Sequence, residues 1–245
     1  NLINLNFQPD VILHCAGSGS VSKSYEDKKN DYNKNVITTK NLLKFINNLK
    51  NKPLIIFFSS AAVYGNHCLK HKKKTIPISP YGKNKLLAEN ILKNQLIKKN
   101  FKLIILRCYS IYGSGLKKQL IWDACNKIIK SKNNFYGSGK EIRCWINIKD
   151  VIYLIEFILK KKIKKNMIFE VAGNDVLENH IMLKKIFDLF NFKKKPEFNN
   201  IQKKGDPIKQ IFNNDKLKKI GWNPKIKLSQ GLKEYVIWFK KILKK

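Results

Sequence analysis

Four short apolar runs punctuate the chain: residues 10–15 (DVILHC), 53–58 (PLIIFF), 101–107 (FKLIILR) and 167–171 (MIFEV). Each has strand length and little polar alternation, the pattern of strands covered on both faces in a parallel sheet. Between the first two runs, apolar residues at 36, 37, 42, 43, 45, 46 and 49 recur at helical spacing. Strand, helix, strand in that order forms a right-handed βαβ crossover. Further helices are expected over about 81–99, 114–130 and 151–161. The fold class is α/β.

The second run ends in Ser59-Ser60, which puts hydroxyls at a strand's carboxyl end, where open α/β sheets hold their ligands. After a Lys-rich loop, Ser79-Pro80 reads as a helix cap followed by proline at the first helical position. Tyr81 and Lys85 then lie one turn apart on one helix face. A serine with a stacked Tyr and Lys is a proton-transfer constellation. Free tyrosine ionises only near about pH 10, and a neighbouring ammonium is expected to lower that value and make Tyr81 a usable base. Ser60 would hold the reacting oxygen.

These residues carry a resemblance. SSAAVYG followed by PISPYGKNKLLAE is similar to the active-site stretch of the extended short-chain dehydrogenase/reductases, in their nucleotide-sugar epimerase and dehydratase branch. The resemblance implies a Rossmann-type doubly wound parallel sheet binding NAD(P) and a smaller C-terminal α/β lobe for the nucleotide sugar. On this division residues 1–108, with 146–173 returning to them, form the cofactor domain, and 109–145 with 174–245 form the substrate lobe. Ser60, Tyr81 and Lys85 would be catalytic.

Other segments extend it. The small residues Ala16, Gly17 and Ser18, after the first strand, line the cofactor in the family. Asn35, in YNKNV, matches an Asn that buttresses cofactor and active site, and Ser59, Tyr81 and Lys85 complete the cofactor set. His14 is read as a buried structural histidine. RCYSIYG, at 107–113, resembles the family's R-P-F-N-V-Y-G, with Cys108 for Pro and Ser110 for the Asn that contacts the sugar nucleotide. Residues 135–150 resemble G-x-G-x-x-x-R-D-F-I-x-V-x-D, which puts Arg143 on the diphosphate, Cys144 in place of Asp, and Asp150 at the next helix's start. Lys203 and Asp206 fall on an R-x-G-D motif, with lysine in the arginine's place. Substrate-binding residues would thus be Ser60, Ser110, Arg143, Lys203 and Asp206. The tail, with Asn213-Asn214-Asp215-Lys216-Leu217 and Gly221-Trp222-Asn223-Pro224, matches packing signatures of the family.

Charge changes the picture least. The formal net charge is +33, yet the lysines are scattered among asparagines along the whole chain, with no nucleic-acid-binding signature. No specific nucleic-acid partner is expected. At 43% hydrophobic residues the chain has material for a core. Only Arg107 and Arg143 are arginines, amid 48 lysines, which marks two positions that need a planar fork. No run reaches membrane-span length, and the five cysteines (15, 68, 108, 125, 144) form no C-x-x-C pair, which fits a reduced cytoplasmic setting. His67, Cys68 and His71 lack a fourth ligand nearby, so no metal is expected.

The family's glycine-rich phosphate loop and the acidic residue of its second strand are not in the sequence, which begins with Asn. The economical expectation is a C-terminal portion of an ordinary family member. The resemblance implies an NAD-dependent, UDP-glucose 4-epimerase-like enzyme acting on a nucleotide-diphosphate sugar, as a homodimer. Dehydratases of the branch carry T-D-E where this chain has Ser60-Ala61-Ala62, and alanine moves no proton. A reductase or decarboxylase of the same branch, and a non-catalytic member without cofactor, remain the competing readings.

Overall fold

A computed structural model describes residues 7–66, 74–163, 165–211 and 215–243. The chain divides into two compact units: residues 1–108 with 161–170 and 204–207, and residues 109–160 with 171–203 and 208–245. The segment 146–173 is therefore shared, residues 161–170 belonging to the first unit and the rest to the second.

The first unit is built on β1 (Val11–His14), β2 (Leu54–Ser60) and β3 (Lys102–Cys108), with β7 (Met167–Val171) beyond them in the order β1-β2-β3-β7. β1 pairs in parallel with β2, and β2 with β3, as the apolar runs require. Among the described residues β1 ends the strand order, and its Leu13 is 44% exposed, whereas Ile55, Ile56 and Phe57 of β2 are fully buried. The β1–β2 crossover holds α1 (Val21–Glu26), α2 (Lys28–Tyr32), a π-helical turn over Asn33–Ile37 and α3 (Thr38–Asn47). Leu42, Leu43, Phe45 and Ile46 of α3 pack with Ile55, Phe57, Leu103 and Ile105 of the sheet, the periodic face meeting the apolar strands.

Helix α4 (Pro80–Leu92) starts where its sequence says it should. Ser79 Oγ accepts from the Gly82 amide at 3.1 Å, and proline fills the first position, which needs no amide hydrogen. Its buried residues Tyr81, Lys85, Ala88, Glu89 and Leu92 lie on one face.

The second unit carries β4 (Ser110–Tyr112), α5 (Gln119–Ile129), β5 (Asn134–Phe135), β6 (Ile142–Asn147), α6 (Ile148–Lys160), β8 (Asp175–Glu178), α7 (Asn179–Leu189), β9 (Glu197–Phe198), α8 (Asp215–Lys219) and α9 (Leu228–Leu243). Its sheets are β4-β6-β8 and β5-β9. A second core joins Tyr112, Cys125, Trp145, Phe187, Leu232, Tyr235 and Phe239. Asp150, in the first turn of α6, spends its buried carboxylate on the Lys225 and Ile226 amides and so fixes the approach to α9.

Candidate functional site

In the first unit the chain brings Ser60, Tyr81 and Lys85 together. β2 delivers Ser60 at its end, where the hydroxyl accepts from the Ala62 amide at 3.1 Å and caps a single 3-10 turn over Ala61–Tyr64. Gly82 lets α4 approach that turn: a Cβ there would stand 2.5 Å from the Ala62 carbonyl oxygen. The close approach brings the Tyr81 phenol to the Ser60 hydroxyl, which favours its ionised form. One turn on, Lys85 Nζ donates to the Phe58 carbonyl at 2.8 Å and lies 4.9 Å from the centre of the Phe57 ring.

The electrostatics differ from expectation. Burial pushes Tyr81 up to about 12; the Ser60 hydrogen bond works downward, and Cys108 and Asp31 work upward. Burial also pushes Lys85 down to about 8, against the opposing pull of Cys108, Asp31, Cys15 and Glu89. The depression of Tyr81 by Lys85 does not appear, because the phenol is desolvated and the ammonium is engaged with the Phe58 carbonyl. As it stands, the pair is a neutral phenol beside a weakened ammonium.

The turn after β1 completes this group. A Cβ on Gly17 would lie 2.8 Å from Asn35 Oδ1 and 3.1 Å from Lys85 Nζ, so two polar ends converge on a bare backbone position. Asn35 Oδ1 also accepts from the Ser18 amide at 3.3 Å. Ala16 and Gly17 are exposed and Ser18 half-buried, which leaves this turn open. Ser59 lies apart from the group: its hydroxyl donates to Glu89 Oε1 at 2.6 Å.

His14 is buried, as read from the sequence. The Thr39 hydroxyl donates to the Asn35 carbonyl at 2.8 Å, so its oxygen accepts from His14 Nε2 at 3.0 Å. Burial, with the Lys85 charge, lowers His14 to about 4 and keeps the ring neutral.

In the second unit, the parallel register sets Ser110 opposite Trp145, and strand alternation puts Arg143 on the same sheet face as Trp145. Arg143 is buried and donates to its own Ile142 carbonyl at 2.9 Å. Cys144, in the place of the expected Asp, points its thiol to the Gln210 carbonyl. Lys203 Nζ lies over the Tyr136 ring at 4.9 Å, beside the loop that leads to Arg143. Asp206 belongs to the first unit, where the neighbouring Gly205 packs on Tyr25 and Ser79. His67, Cys68 and His71, and Asn213 and Asn214 of the tail, lie outside the described residues, among which no metal-holding cluster exists.

Arg107 does use its fork, but on the protein itself. Its Nε and NH2 donate to the two oxygens of Glu89 at 2.9 and 2.6 Å, and NH1 donates to the Tyr64 hydroxyl. Sequence reasoning missed Glu89 and Asp31. The signal was present in both cases: Glu89 continues the 81, 85 spacing by one more turn, and Asp31 precedes Asn35 by one turn.

A sequence profile described as the NAD dependent epimerase/dehydratase family matches residues 2–172. The chain belongs to this family. UDP-glucose 4-epimerase of Mycoplasma genitalium is 33% identical over 166 residues, which cover 59% of this chain and 48% of that protein. UDP-glucose 4-epimerase of Rhizobium meliloti is 25% identical over 245 residues, 91% of this chain and 74% of that one. The crystal structure of Thermotoga maritima UDP-glucose 4-epimerase with UDP-glucose superposes with a TM-score of 0.84 at 25% identity, covering 96% of this chain and 78% of that one. Family dehydratases match too, at 23–24% identity. The Rossmann-type fold expected from the sequence is thus shown.

NAD is the cofactor of the family. The first unit has a donor set suited to part of it. An ammonium with one hydrogen bond to backbone, an amide side chain and a glycine with no Cβ meet at the open end of β1, a fit for the hydroxyls of a ribose.

Proposed function

We propose that this protein is a redox epimerase of a nucleotide-diphosphate sugar, UDP-glucose 4-epimerase-like, in which Ser60, Tyr81 and Lys85 move the proton. The observation that carries the reading is the meeting of the Ser60 turn, at the carboxyl end of a parallel strand, with the start of α4 across Gly82, which brings Tyr81 to Ser60 with Lys85 one turn away. Tyr81 takes the proton of a sugar hydroxyl, O4 in the 4-epimerase case, as the carbon beneath it becomes a ketone, and returns it when the carbon is reduced on the other face. Ser60 holds that oxygen. Lys85, Asn35 and the Ala16–Ser18 turn hold the cofactor's ribose, with Ser59 contributing through its backbone. NAD, when bound, supplies the hydride acceptor and a positive ring. Since burial, with Cys108 and Asp31, keeps Tyr81 protonated, a cation entering the site favours the phenolate.

Buried Ala61 and Ala62 favour epimerisation over dehydration. They occupy the positions where an eliminating enzyme needs an acid and a base. Arg143, Lys203, Ser110 and Asp206 hold the nucleotide diphosphate and sugar in this reading. A homodimer through the α4 region is part of it, supported by the exposed apolar side chains of Leu87 and Ile97. A cytoplasmic setting completes it.

The test uses the purified protein, supplied with NAD and a panel of UDP-hexoses. Inversion at one carbon without loss of water is expected, and is absent in Tyr81→Phe. A 4-keto-6-deoxy product would establish a dehydratase instead.

A further inference from the structure

Asp31, near the end of α2, is buried. Oδ1 accepts from the Ser18 hydroxyl at 2.5 Å and from Asn35 Nδ2 at 3.2 Å, and Oδ2 accepts from Asn84 Nδ2 at 2.8 Å. Asn35 Nδ2 reaches the Asp31 carbonyl as well, at 3.0 Å. One carboxylate therefore ties the turn after β1, the π-helical turn and α4 into one frame. Asn35 turns its other end, Oδ1, to the Gly17 position where Lys85 Nζ also arrives. Asn84 is Lys85's neighbour on the helix.

Three neutral donors compensate a buried carboxylate only in part, so its charge needs a cation within reach. The groups around Lys85 show which cation that is. His14 and Cys15 at the end of β1, Asp31 of α2 and Cys108 of β3 are coupled to it electrostatically, and its ammonium donates to the Phe58 carbonyl of β2. Tyr81 and Glu89 share its helix. His14 is held neutral down to about 4, Cys108 is pushed up to about 12, and Cys15 is raised, so these three carry no charge near neutral pH. Glu89 is already matched by the fork of Arg107. The Asp31 carboxylate is left to balance the ammonium.

We propose that Asp31 is a positioning residue of the proton-transfer site, framing Gly17, Asn35 and α4 by hydrogen bonds and serving as the counter-charge of Lys85. The proposal rests on the reading of Tyr81 and Lys85 as the proton-moving pair. Its electrostatic content can be tested apart from that reading.

The experiment follows Lys85 by carbon NMR in protein labelled at the lysine ε-carbon, its signal assigned by its absence in Lys85→Gln. In Asp31→Asn the midpoint of Lys85 is expected to fall by about one pH unit or more. Asp188→Asn, the same charge change on an exposed residue, leaves it in place. An unchanged midpoint in a folded Asp31→Asn overturns the proposal.

The unaltered protein gives a second measurement, should that variant not fold. The side-chain amide signals of Asn35 and Asn84, both bonded to the one carboxylate, are expected to move together through one shared transition as pH is lowered. Independent midpoints overturn the shared frame. In active protein, Asp31→Asn moves the Lys85 limb of the pH–rate profile by the same amount as the NMR midpoint, with KM unchanged. Activity with an unmoved Lys85 sinks the proposal and leaves the catalytic reading standing. A moved Lys85, in protein inactive on every nucleotide sugar, does the reverse.

Discussion

At the scale of single residues the candidate site is governed by desolvation. Tyr81 and Lys85 are both pushed toward their neutral forms, Tyr81 up to about 12 and Lys85 down to about 8. A proton abstraction through Tyr81 loses on the order of 10²- to 10⁴-fold in rate when the hydroxyl is removed. On the proposed reading, Tyr81→Phe is therefore expected to cut kcat by that factor with little change in KM, measured by sugar interconversion at saturating NAD. His14 makes a prediction about stability. Its folded value of about 4 lies below the ordinary histidine value of 6.5, so the unfolded chain binds the extra proton between those values. Stability from this residue is complete above pH 6.5 and drains away as pH falls toward 4, by roughly 3 kcal/mol in all. Denaturant unfolding across that range should show the slope, and His14→Gln, which keeps a donor for Thr39, should flatten it. An unchanged slope would mean that the ring charges freely in the fold.

Among the elements, α4 is the part on which the site depends, and its placement is fixed by Glu89 as much as by its cap. Glu89 is fully buried and takes both arms of Arg107 from β3 and the hydroxyl of Ser59 from β2. Removing one partner of a buried ion pair strands the other charge, at a cost of about 3–5 kcal/mol. Glu89→Ala should lower stability by that amount, and Arg107→Lys by much of it, since an ammonium cannot match two carboxylate oxygens. Thermal unfolding decides; a shift no larger than that of a surface variant refutes the anchoring role. Gly82→Ala should act on the same helix differently. Its Cβ would press on the Ala62 carbonyl and push α4 off the Ser60 turn, so activity is expected to fall more than stability. The cap, the proline and the 81–85 spacing made α4 legible in the sequence, as the apolar runs made β1, β2, β3 and β7. The short strands β4, β5, β8 and β9, of two to four residues, gave no such signal, because periodicity needs more positions than they have. Arg107 was correctly singled out as a fork, yet its acceptor proved to be Glu89, because a sequence does not say which carboxylate a helix will turn toward a strand. Asp31 escaped for the same reason: its partners come from three separate segments of the chain.

Over the whole molecule the dominant quantity is charge. A net +33 on 245 residues means strong self-repulsion in the compact state, relieved only by counter-ions and by the spread of lysines over the surface. With 50 basic and only 17 acidic side chains, most lysines have no carboxylate to pair with, and the Arg107–Glu89 pair is sealed from water. Added salt therefore has little to break and much to screen, since the Debye length shrinks from about 30 Å at 0.01 M to about 8 Å at 0.15 M. The melting temperature is expected to rise across that interval, where a protein held by surface ion pairs would lose stability. The same charge attracts polyanions without selecting among them. Binding to duplex DNA should be detectable at low salt, fall steeply with ionic strength and be indifferent to sequence. Sequence preference that persists at 0.15 M salt would mean that the lysines form a recognition surface, and would return nucleic-acid binding to the account of what this protein does. A melting temperature that falls with salt would show that paired surface charges, rather than the two apolar cores, carry its stability.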